Sequence, residues 1–168
     1  MKTATLSLVA ALIITPAFGA SEDTGKDVTV EFLEPEKFRD FETRRGGGEK
    51  DREALEKSFR KMILEVAERY LPPGYKLALR FRDIDMAGDF EPERGPDFDD
   101  VRIVKAIYPP SFNVEYEITA ENGEVVASGT KRMSDLAFQN TVSFRKDEPL
   151  FYEEELIRDF LREITRPI

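Results

Sequence analysis

Apolar residues recur every three or four positions at Leu55, Phe59, Met62, Ile63, Val66, Ala67 and Tyr70. That spacing places them on one face of a helix. Pro72-Pro73-Gly74 stops it. A second helix starts near Glu148-Pro149, with Tyr152, Leu156, Ile157, Phe160, Leu161 and Ile164 on its apolar face and Pro167 just past its end. Elsewhere the period is two, as in strands. Val28, Val30 and Phe32 alternate with polar neighbours up to Pro35. Leu77, Leu79 and Phe81 alternate likewise, but the apolar parity flips at Ile84 and Met86. A strict period of two cannot do that, so a bulge or break is predicted near Arg82-Asp83.

Phe112, Val114, Tyr116 and Ile118 alternate with Asn113, Glu115, Glu117 and Thr119, which predicts a strand buried on one face and wet on the other. Asn122-Gly123 is a strong hairpin signal and predicts a type I′ turn. The return strand then runs from about Glu124 to Met133 and sets Tyr116 opposite Gly129. Residues from Val101 to Ile107 predict one more strand, interrupted by Pro109-Pro110. The charged loop 34–50 turns Phe38 and Phe41 inward, and 87–100 is an acidic loop. The order β-α-β-(β)-β-β-α implies one parallel crossover followed by an antiparallel meander. The fold class expected is α+β: a two-layer sandwich with a mixed, mostly antiparallel sheet and both helices on one face.

The start of the chain differs from the rest. Lys2, the apolar run Leu6–Ile14, Pro16 and the small residues around Ala17 and Gly19 follow the layout of a secretory signal peptide. The apolar run is about half a membrane span. Residues 1–19 are therefore read as a cleaved leader, 20–27 as a disordered segment, and 28–166 as one domain. The expected address is periplasmic or secreted.

Composition then closes several chemistries. The chain has no Cys, which excludes disulfides and a lipid-modified terminal cysteine. It has no His, which removes the usual general base and the usual zinc and copper ligands. A Ser-His-Asp triad cannot be built. The formal charge is −9, and becomes −10 once Lys2 leaves with the leader. Such a chain repels nucleic acid and anionic lipid, so neither is expected as a partner, and membrane insertion is not expected either.

Four stretches resemble a known bacterial family. They are Val30-Glu31-Phe32 with Pro35-Glu36 and Phe38; Asp83-Ile84-Asp85-Met86-Ala87-Gly88 with Glu91-Pro92; Asp100-Val101-Arg102 leading to Ile107-Tyr108-Pro109-Pro110; and Ser134-Asp135-Leu136. The family is domain of unknown function 3016. The resemblance implies an exported protein of proteobacterial type and brings no activity or catalytic residues with it.

The local anomaly is the acidic run from Asp83 to Asp100: eight acids (Asp83, Asp85, Asp89, Glu91, Glu93, Asp97, Asp99, Asp100) and one base, Arg94. Charges this dense need an offset. One reading is an irregular calcium or magnesium site on Asp83, Asp85 and Asp89, since carboxylate oxygens suit hard cations. An EF-hand is excluded, because Ala87 and Arg94 stand where ligands belong. The other reading is a solvated loop whose acids pair with Arg80, Arg82, Arg94, Arg102 or Lys105. Ser58-Phe59-Arg60-Lys61 matches Ser-x-x-Lys, but its companion motifs are incomplete. The leading expectation is a non-catalytic, cofactor-free exported protein with a binding or envelope-support role. Its contact surface is read as the acidic loop with Arg102, Tyr108, Pro109 and Pro110. The alternative is a cation-binding module or cation-dependent enzyme.

Overall fold

The computed structural model describes residues 24–25, 27–95, 99–166 and 168. The expected leader 1–19, Asp97 and Pro167 lie outside them. The elements are β1 (Thr24–Gly25), β2 (Val28–Phe32), α1 (Glu49–Ala67), β3 (Lys76–Asp85), β4 (Asp89–Phe90), β5 (Arg102–Ile103), β6 (Ser111–Thr119), β7 (Val125–Ser134) and α2 (Phe151–Thr165). A five-stranded sheet runs β1-β2-β3-β6-β7, and β4-β5 form a separate pair. β2 and β3 are parallel, with α1 in the crossover, and the remaining pairs are antiparallel. The fold is α+β, as the period changes predict.

Both helices cover one face of the sheet. Phe59 of α1 meets Phe81 of β3 at 6.2 Å between ring centroids. Phe81 meets Phe112 of β6, and Phe112 meets Phe160 of α2, both at 5.6 Å. Phe38 and Phe41, from the loop after β2, extend the same run through a 5.6 Å contact between Phe41 and Phe59. Edge-to-face rings of this kind add to the area they bury. The other sheet face is polar. There Arg80 bonds Glu31 across the β2–β3 pair at 2.9 Å.

The expected bulge is present. Pairing of β3 with β6 slips between Phe81 and Asp83, leaving Arg82 as the extra residue. Phe81 and Ile84 are therefore both buried in the core, 0% and 1% exposed. Tyr116 does pair with Gly129. The turn, however, is not type I′, which needs positive φ at both central residues. Only Gly123 has it, at 84°. Gly123 N–H donates to Ala120 O at 2.9 Å, and pairing slips between Ile118 and Thr119. The hairpin closes by a turn and a bulge instead.

Three other expectations are corrected. Thr24–Gly25 pairs with β2, so the end of the 20–27 segment adds an edge strand. The free edge of β2 supplies its backbone partners. Only Arg102–Ile103 of the 101–107 stretch is strand, and it pairs with Asp89–Phe90 within the acidic segment. A turn closed by Tyr108 N–H on Lys105 O ends it. The second helix begins at Phe151, after Leu150 adopts φ 61°, which draws Phe151 and Glu153 onto the buried face.

Phe59 is fully buried and touches rings from β2, β3 and the 38–41 loop. Phe59→Ala is expected to lower unfolding stability by about 3–5 kcal/mol, read from urea midpoints at constant slope.

Candidate functional site

The polar chemistry gathers where β3 leaves the sheet. The loop after β2 runs beside the end of β3. Asp40 N–H donates to Ile84 O at 3.2 Å, and Met86 N–H donates to Asp40 O at 3.0 Å. These bonds fix the Asp40 carboxylate over the small β4–β5 pair. Arg102 of β5 donates to both its oxygens, at 2.6 and 2.7 Å. The same guanidinium donates to Gly88 O at 3.0 Å and Glu42 O at 2.7 Å, and lies 4.6 Å from the Phe90 ring centroid. Each terminal nitrogen of the guanidinium thus makes two bonds, a planar recognition that suits Arg. Gly88 permits this approach. Its φ is +83°, and a Cβ there would sit 2.9 Å from Ile103 O.

Glu153 closes the cluster from α2. It is 6% exposed and accepts from Ala87 N–H at 2.7 Å. Burial pushes its pKa up, against the opposing pull of the Ala87 N–H, its own N–H and Arg102. A groove of about 410 Å³ lies beside it, between α1 and the start of α2. A second concavity, a polar cleft of about 470 Å³, opens on the other side of Asp40 and includes Asp85, Asp89, Tyr108, Pro109 and Arg132.

The structure separates the proposed cation ligands. Asp83 and Asp85 are both taken by Arg39, whose guanidinium reaches them at 3.1 and 2.8 Å. Asp83 also accepts from Arg39 N–H at 2.9 Å. Burial pushes the Asp85 pKa up, with Arg39 opposing. Asp89 Oδ1 instead accepts from Phe90 N–H at 2.7 Å. Among the described residues, no three acidic side chains converge as metal ligands. Asp83 and Asp85 are offset by Arg39, which lies outside the run.

Glu91 has a cage of its own. It is 4% exposed, with Lys105 at 2.7 Å, Arg94 at 2.5 Å and the Tyr108 hydroxyl at 3.1 Å. Lys105, then Arg94 and Tyr108, hold its carboxyl at about 2, below the ordinary 4.5. Arg94 and Lys105 thus pair with the acidic run as the loop reading expects.

The expected contact surface needs redrawing. Arg102 is committed to Asp40, and Pro110 is buried. Tyr108 and Pro109 are half-buried in the wall of the polar cleft. Ser58 is exposed on α1, and its Oγ donates to Ala54 O at 2.9 Å, a helix-internal bond. Sequence reasoning missed Asp40, Glu153 and Arg39. Glu153 had a legible signal: three and four residues before Leu156 and Ile157, it shares their helix face.

A family pattern described as Protein of unknown function (DUF3016) matches residues 26–163. The chain belongs to that family. The matched span includes every member of the DUF3016 chain's Asp40–Arg102–Glu153 cluster. No curated protein matches. Two solved structures align over most of the chain at low similarity. A dodecamer of a PelC point variant from Paraburkholderia phytofirmans is 12% identical, with 84% of this chain and 87% of that one covered, at a TM-score of 0.37. A minor lipoprotein from Acinetobacter baumannii is 11% identical, with 84% and 90% covered, at 0.29. Similarity at that level carries no functional information. No helix among the described residues is long and apolar enough to cross a membrane.

Two outcomes follow from the paired charges. Arg102→Met leaves Asp40 charged with no cation on it and is expected to cost about 3 kcal/mol in urea unfolding, much of it recovered in the Asp40→Leu/Arg102→Met double variant. For Glu91, the folded pKa lies below the unfolded one. Its stabilisation is therefore complete above 4.5 and is lost as pH falls toward about 2. The gap in urea midpoint between the native protein and Glu91→Gln should shrink across that window, and a gap that stays constant would refute the pairing.

Proposed function

We propose that this protein is a non-catalytic module of the cell envelope, exported by the leader 1–19, that docks a partner protein through an apolar rim. One observation carries the reading. Among the described residues, eight large apolar side chains stand exposed, and six of them fall in two short segments. Val101, Val104 and Ile107 belong to one, and Leu136, Val142 and Phe144 to the other. Gln139 joins the segments through a 3.2 Å bond to Val104 O. Val142 and Phe144 are fully exposed. Apolar side chains grouped on a soluble surface mark contact sites more often than chance exposure does.

The rim also fits the chemistry of the remaining surface. Behind the first segment, Glu91 is paired with Arg94 and Lys105, and Asp40 with Arg102. A partner would therefore meet apolar side chains framed by polar and charged ones, the composition of an interface core with a polar rim. The leader supports the address, and the family resemblance to exported proteins agrees with it.

Val142→Asp/Phe144→Asp tests the rim without touching the core. Its thermal midpoint should stay within about 2 °C of the native value, as for surface changes. A photo-crosslinker at position 144 in the intact envelope should yield a discrete adduct that competition with native protein removes and with the double variant does not. Mass spectrometry of the exported protein should find Ala20 at its N-terminus. An uncleaved chain, no adduct, or turnover of an envelope substrate by the pure protein would each overturn the reading.

A further inference from the structure

The groove between α1 and the start of α2 shares only Val104 with the rim and is otherwise a separate site. Its floor is Leu55, Met86, Ala87 and Phe151, all buried. Its volume of about 410 Å³ is within the usual range for small-molecule sites. We propose that it binds a free single-chain amphiphile with an anionic head, a medium-chain fatty carboxylate, with the head on the Lys146 ammonium and the chain along the apolar floor.

Charge accounting selects the anion. Four ions on the groove wall are already matched or shielded. Asp51 is held by Arg44 at 2.7 Å, Glu148 by Arg145 at 2.8 Å, and Arg102 by Asp40 at 2.6 Å. Glu153 lines the groove beside that floor, is buried, and accepts from Ala87 N–H at 2.7 Å; burial raises its pKa. Lys146 differs from all of them. Its Nζ donates to the neutral Gln139 O at 2.9 Å, and among the described residues no carboxylate pairs with it. A half-buried ammonium without a counter-ion, above an apolar floor, is complementary to a carboxylate carrying a hydrocarbon chain. A long ammonium amphiphile would meet like charge there instead.

The charge of the whole chain decides the source. At −9 the protein is repelled by the many like charges of an anionic bilayer, whereas a single free carboxylate meets that field once and the Lys146 ammonium locally, so the occupant proposed is the free molecule. The site does not depend on the protein partner proposed for the rim, and the two tests fail separately.

The test is calorimetry and amide NMR of the mature chain with dodecanoate below its micelle concentration. Dodecanoate should give a saturable heat and shift the amides of Leu55, Ala87 and Phe151. Lys146→Ala should weaken binding about tenfold at unchanged thermal midpoint. Ala54→Phe, on the groove's solvent side, should abolish binding by filling the space. Dodecyltrimethylammonium should not compete. The proposal is overturned by an absence of heat with dodecanoate, by equal binding of the ammonium amphiphile, by an unaffected Lys146→Ala, or by binding confined to phosphatidylglycerol vesicles.

Discussion

A continuous run of phenylalanine rings holds this protein together. It passes from Phe38 and Phe41 in the loop, through Phe59 on α1 and Phe81 on β3, to Phe112 on β6 and Phe160 on α2. Every layer of the fold contributes a ring. A chain without cysteine has no covalent staple, so apolar burial carries the load that disulfides share in many exported domains. Large rigid rings suit that task, because each buries much area at little rotamer cost. The position of the loop after β2 follows from the same run. Phe38 and Phe41 anchor it, and Asp40 between them is thereby delivered to Arg102.

In and around the acidic stretch, buried and half-buried carboxylates are offset by arginine and lysine side chains. Asp83 and Asp85 share one arginine, Glu91 sits among two cations and a hydroxyl, and Asp40 is clasped by a fork. Two buried glutamates respond in opposite senses. Pairing pulls the Glu91 pKa down, whereas desolvation dominates at Glu153 and pushes it up. Burial alone therefore does not set the protonation of an acid here. What decides it is whether an opposite charge was buried with it.

Much of the fold was legible in the sequence because it is written in periods. The parity flip at Ile84 located the bulge, and strict alternation located β6 and set Tyr116 against Gly129. What escaped was written in neither period. Thr24–Gly25 and Asp89–Phe90 are two-residue strands, too short to carry a pattern, and they form because a neighbouring edge offers hydrogen bonds. The turn type escaped because Asn-Gly suits more than one backbone solution. In the site, Arg39 and Asp40 lie more than forty residues before the groups they bind, a distance no local motif spans. Val142 and Phe144 escaped because an apolar residue in a loop reads by default as buried.

Arg82, the extra residue of the β3 bulge, sets a phase for everything after it. Before it, β3 lies between β2 and β6; after it, the loop that follows β2 takes the place of β2, with Asp40 bridged to Asp85. One strand thus serves two different settings, joined by a single half-step. The length of β3 is quantised as a result. Two residues added or lost would keep Asp83 and Asp85 toward Arg39 and Ile84 toward the core, whereas one would exchange them. That would bury two carboxylates and expose a fully packed isoleucine. A one-residue change would need a second half-step, of the kind Arg82 supplies, to restore the phase.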